Sequence, residues 1–547
     1  MRQHVARSAS ISAEAFDYIV VGAGSAGCIV AARLSEDASA RVLLIEAGGS
    51  DSSPWFRIPI GYARSYYDPA VNWMHWSEPE SQLAGRKIYV PRGKVVGGSG
   101  AINAMIFVRG APHDFDDWAA PSWDYQSVLP YFRKLETSSE GGPYHGDSGP
   151  IHVTSMRGQA HLVTQNFLNA CSELGLSRTD DFNGEHFEGA GIYDINTQNG
   201  QRCSSGFAYL KPALKRPNLK LMRHAAASRV LFDETMRATG VELRSGGQTI
   251  AVRASRAVIL CAGAIGTPKL LQLSGIGDGA FLQSVGVKPI VHAPSVGKNL
   301  QDHLCASFYY RANTPTLNDQ LAGLHRQALL ALRYLAARRG PLALSVNQAG
   351  GFFRGSPDAA QPNIQLYFNP LSYRIPDNPK AGLKLEPYSG FLLAFNPCRP
   401  TSIGTVDIAG SDENLAPLIR PNFLSTEHDR DEMLQGALLA RRIMNAPSLK
   451  AITAQEMPPS AGLRDDELLD FCRQNSGSIY HPCGTARMGA DPASSVVDAQ
   501  LRVHGARGLR IIDASIFPNI TSGNINAPTM MVAERGAALI KQDASPR

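Results

Sequence analysis

The chain has 547 residues, of which 44% are hydrophobic and 18% charged, as is typical of a soluble protein with several globular domains. Its formal net charge is only +5 and its basic residues are scattered in pairs such as Arg338-Arg339, so we expect no nucleic-acid partner. Arg333 interrupts the apolar segment at residues 329–335, and no other apolar run is long enough to span a bilayer.

The eight cysteines and the first residues indicate the compartment. No two cysteines form a CxxC pair and their spacing is irregular, which favours reduced thiols, a cytoplasmic protein and no metal site. Residues 1–15 carry arginine and serine but lack the apolar centre of a secretory signal. We interpret them as a flexible N-terminal lead.

The first strong pattern is a βαβ unit. Residues 17–21 predict a strand, residues 28–34 a helix, and residues 41–45 a second buried strand closed by Glu46. Glycines in the turn between the first strand and the helix permit a tight turn and a close approach of pyrophosphate. An acid after the second strand binds ribose hydroxyls. The unit predicts a dinucleotide site without distinguishing FAD from NAD. The turn between the first strand and the helix consists of Gly22, Ala23, Gly24, Ser25, Ala26 and Gly27.

Further elements follow along the chain. Residues 256–260 and 509–513 predict two more buried strands, and the apolar spacing at residues 427–445 predicts an amphipathic helix. Prolines among aromatic residues at 361–390 favour irregular backbone and leave open whether this segment forms a lid. The order of elements predicts two interleaved domains, with the nucleotide-binding domain returning near the C-terminus.

Four blocks carry the most specific patterns. They are PRGKVVGGSGAIN at residues 91–103, GAIGTPKLLQLSGIG at 263–277, YHPCGTARMG at 480–489, and the segment from DAS to NINAPT at 513–529. In the same order, they resemble the signatures of the glucose–methanol–choline (GMC) flavin oxidoreductases. The resemblance runs from residue 17 to about residue 540.

The resemblance implies a fold and a division into domains. We expect an α/β protein in which a Rossmann-like FAD-binding domain, of the GMC or p-hydroxybenzoate-hydroxylase-like type, is interleaved with an α+β substrate domain built on an antiparallel sheet. The FAD-binding domain would comprise residues 16–155, 205–310 and 476–547. The substrate-binding domain would comprise residues 156–204 and 311–475.

The resemblance also implies non-covalent FAD and a set of contacts to it. Some family members attach FAD through a histidine that precedes the signature asparagine, and Ile102 occupies that position here. Two further implied residues are Val230, whose backbone would meet the adenine, and Trp73, which would lie near it. The other implied contacts, besides the glycine turn and Glu46, are Ala47, Arg92, Val96, Gly97, Ser99, Asn103, Ala104, Met105, Tyr480, Asp513, Ala514, Asn524, Asn526, Pro528 and Thr529.

His481 is the expected catalytic base. It stands in the block that resembles the one carrying the family's catalytic histidine, and an imidazole can accept a hydroxyl proton at neutral pH while a hydride leaves carbon. Asn524 occupies the position of a second polar group, where family members have His or Asn. Its amide can donate a hydrogen bond but cannot act as a base. The expected reaction is oxidation of an alcohol to an aldehyde or ketone.

Several alternatives stay open at this point. The family's relatives include a cyanohydrin lyase and a light-driven fatty-acid decarboxylase. Cys398 before Arg399-Pro400 is the one feature that favours the decarboxylase. A flavin-binding protein without turnover is a further possibility, which the His481–Asn524 pair disfavours. The sequence leaves open which alcohol is oxidised and whether the acceptor is oxygen, a quinone or a protein. Most aromatic residues of the substrate half are interpreted as core.

Overall fold

The computed structural model describes residues 10–374 and 382–544, with side chains from Glu14 onward. The strands are β1 (Ser10–Val21), β2 (Val42–Ile45), β3 (His75–Trp76), β4 (Tyr89–Val90), β5 (Glu136–Ser138), β6 (Ile151–Ser155), β7 (Gly189–Ile192), β8 (Asp194–Ile195), β9 (Thr197–Gln198), β10 (Gln201–Arg202), β11 (Leu219–Met222), β12 (Ala225–Phe232), β13 (Ala238–Ser245) and β14 (Gln248–Leu260). They continue with β15 (Ile276–Gly277), β16 (Val291–His292), β17 (Leu304–Ala312), β18 (Ala349–Phe353), β19 (Ile364–Asn369), β20 (Tyr373–Arg374), β21 (Lys384–Leu385), β22 (Gly390–Pro397), β23 (Thr405–Asp407), β24 (Leu418–Arg420), β25 (Thr453–Glu456), β26 (Gly477–Ser478) and β27 (Leu509–Ile511).

The α-helices lie between and after these strands. They are α1 (Ser25–Leu34), α2 (Tyr62–Ser65), α3 (Pro112–Asp116), α4 (Tyr125–Leu135), α5 (Leu162–Glu173), α6 (Lys211–Ala213), α7 (Gly263–Leu273), α8 (Gly279–Ser284), α9 (Leu317–Leu321), α10 (Leu324–Ala337), α11 (Glu427–Met444), α12 (Pro447–Lys450), α13 (Leu468–Asn475) and α14 (Asn526–Ala544). None of the helices in the described ranges is long and apolar enough to cross a membrane.

A mixed sheet forms the first half of the fold. Its strand order is β11-β2-β1-β14-β13-β12, with β27 also paired to β14. The pairings among β11, β2, β1, β14 and β27 are parallel, whereas β12, β13 and β14 form an antiparallel meander. Every residue of β2 is buried, as expected for a parallel strand covered on both faces. The predicted βαβ unit is confirmed as β1, α1 and β2.

The first and last helices pack against each other on this sheet. Glu534 of α14 is fully buried and accepts hydrogen bonds from Arg33 of α1 at 2.8 Å and from the Tyr209 hydroxyl at 2.6 Å. A buried carboxylate is tolerated only with such partners. This contact ties the C-terminal helix to the dinucleotide-binding unit at the start of the chain.

An antiparallel sheet forms the second half. Its order is β25-β17-β22-β19-β18-β7, with β26 also paired to β17. Helix α11 covers it, and the Thr426 hydroxyl accepts from the Asp429 N–H to cap the helix start. The predicted helix at 427–445 is therefore confirmed to within one residue. The buried apolar face of α11 includes Met433, Ala437, Ala440 and Ile443. The expected α/β fold with an antiparallel substrate half is confirmed.

Three sequence-based expectations need correction. The lead predicted at residues 1–15 is wrong for residues 10–15, because β1 begins at Ser10 and pairs there with β14; residues 1–9 lie outside the described residues. The irregular backbone predicted at 361–390 is wrong for β19, a strand inside the antiparallel sheet that Pro362 and Pro370 flank without interrupting. Pro376 and Pro379 of that segment lie outside the described residues.

The predicted domain boundary at residue 310 also shifts. Strand β17 belongs to the antiparallel sheet along its whole length, so the substrate half resumes at Leu304 and not after residue 310. The motif reading missed this because the change of sheet occurs without a break in the chain. The other boundaries of the two interleaved domains stay a prediction.

Candidate active site

A cavity of about 720 Å³ opens at the carboxyl ends of the parallel strands. Gly22, Glu46, Cys261 and Asp513 follow β1, β2, β14 and β27 and line it, as ligand sites do in open α/β sheets. The opposite end reaches the antiparallel half. The predicted site residues that line the cavity are Gly22, Gly24, Ser25, Ala26, Glu46, Ala47, Trp73, Arg92, Ser99, Asn103, Ala104, Met105, Tyr480, His481, Asp513, Ala514, Asn524, Asn526 and Thr529.

The remaining predicted residues lie behind the cavity wall. A Cβ on Gly27 would lie 1.8 Å from the Gly22 carbonyl oxygen, so this glycine serves the packing of helix on strand. The Gly97 N–H donates to the Ala23 carbonyl at 2.7 Å and joins the two glycine-rich turns. Val96 and Pro528 are not part of the described wall.

Val230 does not line the cavity, and its contact with adenine stays a prediction. Its N–H donates to the Ser274 hydroxyl at 2.8 Å, and its side chain is buried in the core. Strand β12 instead reaches the cavity at its first residues, Ala225, Ala226 and Ala227, next to His224. Only the start of β12 therefore faces the cavity.

Glu46 lies in the cavity wall directly after β2. Its Oε2 accepts the Ala23 N–H at 2.9 Å and its Oε1 accepts the Gly48 N–H at 2.8 Å. Burial raises the pKa of this carboxyl to about 7, against the opposing effect of these two N–H donors and of Lys94. The two backbone bonds hold the carboxylate in one orientation at the end of β2.

Two glycine-rich turns form a cradle beside Glu46. A Cβ on Gly98 would lie 2.6 Å from the Gly24 Cα, so no side chain can separate the turns. The Ser25 hydroxyl donates to Asn526 Oδ1 at 2.7 Å and thereby joins the beginnings of α1 and α14 at the cavity wall. Helix N-termini that meet a glycine cradle suit the negative charge of a pyrophosphate. The residues present therefore fit a dinucleotide such as FAD.

The signature loop at residues 91–103 is fixed by buried polar contacts. Asn103 Oδ1 accepts from the Arg202 guanidinium at 2.5 Å and from the Met105 N–H at 3.1 Å. The Ser99 hydroxyl accepts from the Gly93 N–H at 3.1 Å. Ile102 is buried and lines the cavity between them, so no nucleophilic side chain stands at this position.

His481 lies in a rigid, strained turn. Its N–H donates to Asp302 Oδ1 at 2.8 Å, and Asp302 Oδ2 accepts from the Ser478 hydroxyl at 2.5 Å. Tyr480 has φ of 73°, an uncommon left-handed conformation for a bulky residue. Its carbonyl accepts from Arg92 at 2.5 Å. These contacts set the direction of the imidazole ring.

A chain of hydrogen bonds determines which nitrogen of His481 carries the proton. The Cys398 carbonyl can only accept, so His303 Nε2 donates to it at 2.7 Å. A neutral His303 then has a free electron pair on Nδ1, to which His481 Nδ1 donates at 2.9 Å. His481 Nε2 is consequently unprotonated and lies 3.1 Å from the Asn524 amide nitrogen, which donates to it.

Burial keeps both imidazoles neutral. It lowers the pKa of His303 to about 4, with the Cys398 carbonyl opposing the shift. It lowers the pKa of His481 well below the ordinary value, and His303 and Arg92 lower it further. The Nε2 atom of His481 is therefore a proton acceptor at neutral pH and for some distance below it.

The other end of the Asn524 amide is available. Its Oδ1 is buried and has no hydrogen-bond partner within the described part of the chain, and the Tyr367 hydroxyl lies against the Asn524 side chain. Buried polar atoms usually find partners, so this pair is suited to a polar ligand. The Cys398 thiol is buried, and its pKa is raised well above the ordinary value. The group of Cys398 that contacts His303 is the backbone carbonyl.

Several site residues escaped the sequence patterns. His303 and Arg202 act through partners that are far away in the chain, and only the Asp302-His303 pair gave a signal in the sequence. The aromatic residues interpreted as core are confirmed in that role. Phe352, Phe353, Tyr367, Phe368, Phe391 and Phe395 are all buried.

Comparisons with known proteins agree with this geometry. The GMC oxidoreductase N-terminal and C-terminal family models match residues 16–305 and 400–533. The chain is 39% identical to an oxygen-dependent choline dehydrogenase of Vibrio vulnificus (strain YJ016), covering 97% of this chain and 96% of the relative. It is 38% identical to an alcohol dehydrogenase [acceptor] of Pseudomonas putida, covering 96% and 95% of the two chains.

A solved structure extends the comparison to the cofactor. A formate oxidase of Aspergillus oryzae, studied for the effect of a mutation on FAD modification, superimposes with a TM-score of 0.89. The two chains share 26% sequence identity, with coverage of 98% of this chain and 99% of the formate oxidase. The chain belongs to the GMC oxidoreductase family and is an FAD-dependent oxidoreductase that acts on CH–OH donors.

Proposed function

We propose that the protein oxidises a neutral alcohol, with His481 as the base and Asn524 as its hydrogen-bonding partner. The observation that carries the proposal is the chain from the Cys398 carbonyl through His303, which leaves His481 Nε2 unprotonated beside the Asn524 amide. A base of this kind must be neutral when its substrate binds. Burial provides that neutrality.

The proton transfer follows from the positions of these two side chains. A hydroxyl placed between them donates to His481 Nε2 and accepts from the Asn524 amide. As the hydroxyl proton passes to Nε2, the amide stabilises the negative charge that develops on oxygen. The Nδ1–H bond to His303 holds the ring in place throughout. FAD, when bound, accepts the hydride that leaves the alcohol carbon.

We further propose how the chain holds FAD. Glu46 accepts hydrogen bonds from the adenine ribose, and the cradle of Gly24 and Gly98 with the start of α1 receives the pyrophosphate. Ser99 and Asn103 stand where the flavin ring would lie. Ile102 offers no atom for a covalent bond, so the cofactor is bound non-covalently.

The wall near His481 favours an uncharged substrate. It contains Tyr66, Tyr480, Ile106 and Ile479, and the charged group in this part is Arg92. Both oxygens of Asp302 are engaged in hydrogen bonds, so this carboxylate does not face the cavity as a free anion. A cationic substrate would meet Arg92, whose charge Asp302 balances in part from outside the cavity wall, and no carboxylate of the described wall near His481 would pair with the substrate.

Choline is the second candidate substrate, because choline dehydrogenases are among the similar proteins. The tyrosine rings around Tyr480 could contact a quaternary ammonium through their faces. Lyase-like or photodecarboxylase-like chemistry is the alternative that keeps the fold. Anaerobic addition of alcohol in the dark distinguishes oxidation from both, since only oxidation bleaches the flavin absorbance.

The first prediction concerns the attachment of FAD. Because Ile102 occupies the linkage position, acid precipitation should release the yellow colour into the supernatant at about one FAD per chain. Absorbance of supernatant and pellet measures the outcome. Yellow colour that stays with the pellet would contradict non-covalent binding, and a colourless protein that FAD cannot reconstitute would contradict the cofactor site itself.

The second prediction concerns Glu46. Glu46→Ala removes charge-assisted hydrogen bonds to ribose, each worth roughly 1.5–3 kcal/mol, so the dissociation constant of FAD should rise by about tenfold or more. Titration of apoprotein with FAD, followed by flavin fluorescence, measures the change. Glu36→Ala is the control, since Glu36 pairs with Arg33 and Lys541 on the surface. At full FAD occupancy, a strongly slowed reduction by alcohol would assign Glu46 another role.

The third prediction concerns His481. His481→Ala should lower the rate of flavin reduction by roughly 10²–10⁴-fold, the usual loss for a positioned base. Because the pKa of His481 is depressed, the wild-type rate should stay on its plateau at pH 6.5 and fall only at lower pH. The variant should lose this low-pH decrease, called the low-pH limb of the profile. Anaerobic stopped-flow absorbance across the pH range measures both quantities.

Three further variants separate the roles in this site. Asn524→Ala should cost less than His481→Ala and keep the limb, because an amide does not titrate. His303→Ala should also keep the limb, since it only frees the alternative tautomer. His504→Ala is the matched control, because its ring contacts Ser495 and the Gly489 carbonyl. Near wild-type reduction with an unchanged pH profile in His481→Ala would refute the assignment.

The fourth prediction concerns the substrate. With an artificial electron acceptor and with oxygen, kcat/KM for neutral alcohols such as benzyl alcohol should exceed that for choline by about 100-fold or more, reflecting the uncompensated charge beside Arg92. Steady-state assays over a panel of alcohols measure the ratio. A preference for choline would select the second candidate instead.

A further inference from the structure

Helix α10 presents an apolar face to solvent. Its side chains Leu324, Leu329, Leu332 and Leu335 are 81%, 67%, 65% and 66% exposed. With Ala328, Ala331 and Ala336 between them, they lie on one side of the helix at a spacing of three and four residues. Contiguous exposed leucines of this kind mark an interaction surface and not an ordinary solvated helix.

The opposite side of α10 is firmly attached to the protein. Tyr334 is buried, and its hydroxyl donates to the Gly200 carbonyl at 3.0 Å. Leu330 packs on the apolar cluster that also contains Met105 and Ile106, two residues of the cavity wall. The leucine face is therefore held outward by the contacts of the other face.

The charged residues of α10 and of its C-terminal end are all positive. The helix and its C-terminal end carry Arg326, Arg333, Arg338 and Arg339, and no Asp or Glu occurs between residues 320 and 357. Within the described part of the chain, no carboxylate forms an ion pair with any of these four arginines. Helix α11 differs, because it carries acidic residues in its first turn as well as arginines in its last turn.

We propose that the face of α10 formed by Leu324, Leu329, Leu332 and Leu335 binds the surface of an anionic lipid bilayer. A helix with exposed leucines on one side and arginines beside them lies in the plane of the interface, where the leucines enter the acyl boundary and the arginines meet lipid phosphates. Charge complementarity favours this occupant. A second copy of the chain would bring arginines of like charge together across a two-fold axis, without a carboxylate from residues 320–357 to compensate.

Docking of this kind is peripheral. It needs no spanning segment, and it leaves the fold and the His481 site unchanged. Because Leu330 and the cavity wall share one apolar cluster, the bound membrane and the cavity would lie on two sides of that cluster. The proposal does not depend on which alcohol is oxidised.

Sedimentation of the holoenzyme with lipid vesicles tests the proposal. Wild type should bind vesicles of phosphatidylcholine that contain about one-third phosphatidylglycerol, and bind about tenfold more weakly to pure phosphatidylcholine or at high salt. The triple variant Leu329→Gln, Leu332→Gln, Leu335→Gln should lose about tenfold in binding. The matched control changes three exposed apolar residues elsewhere to Gln, namely Leu214, Ile290 and Ile403, and should bind as wild type.

Other measurements keep the result interpretable. Thermal unfolding and the rate of flavin reduction by alcohol should be equal in wild type and the leucine variant, so that loss of folding or of the proposed reaction is told apart from loss of docking. If the leucine variant does not fold, Arg326→Gln with Arg333→Gln and Arg339→Gln should abolish the preference for phosphatidylglycerol. Wild type that ignores anionic vesicles, or a leucine variant that binds them equally, would overturn the proposal. So would a wild-type dimer, seen by sedimentation velocity, that dissociates in the leucine variant without any vesicle binding.

Discussion

The hydrogen bond between the two imidazoles of His303 and His481 is the contact on which the active site depends. It can form only if one ring donates and the other accepts, so the two Nδ1 atoms cannot both carry a proton. The Cys398 carbonyl decides which ring donates, because a carbonyl oxygen has no proton to give. Starting from this acceptor, the donor and acceptor of each hydrogen bond in the series are determined. The last atom of the series is the unprotonated Nε2 of His481 beside Asn524.

The two sheets of the fold bring this arrangement to the cofactor cavity. Strand β26, just before His481, pairs with β17, just after His303, and Asp302 binds the backbone of both histidines. The parallel sheet contributes the other side, where the residues after its strands form the nucleotide-binding wall. Residues next to strands of both sheets thus line one cavity, although neither half supplies the whole wall.

The sequence predicted the parts of this site that local patterns encode. The βαβ unit, Glu46, the glycine cradle and the pair of His481 and Asn524 follow from turn chemistry and from motif resemblance, and the structure brings them to one cavity. Sequence patterns could not predict the contact of His303, because its partner is a ring 178 residues away in the chain. Val230 is absent from the cavity wall for a related reason: which residues of a strand line a cavity depends on which end of the strand reaches it.

Burial of the site has opposite consequences for its bases and its acids. His481 and His303 have depressed pKa values in the folded protein, so each favours the folded state above the ordinary histidine pKa of about 6.5 and weakens it as pH falls. Glu46 and Asp302 have pKa values raised to about 7 and about 6, so their ionised forms weaken the folded state as pH rises through these values. The histidines thus weaken the folded state on the acidic side of neutral pH, and the carboxyl groups weaken it as pH rises towards neutral.

Hydrogen bonds offset part of the cost of burying these groups. Glu46 and Asp302 receive backbone N–H donors, and each imidazole has a partner on both ring nitrogens. Near neutral pH the site therefore holds a neutral His481 imidazole, while burial keeps the Glu46 carboxyl partly protonated.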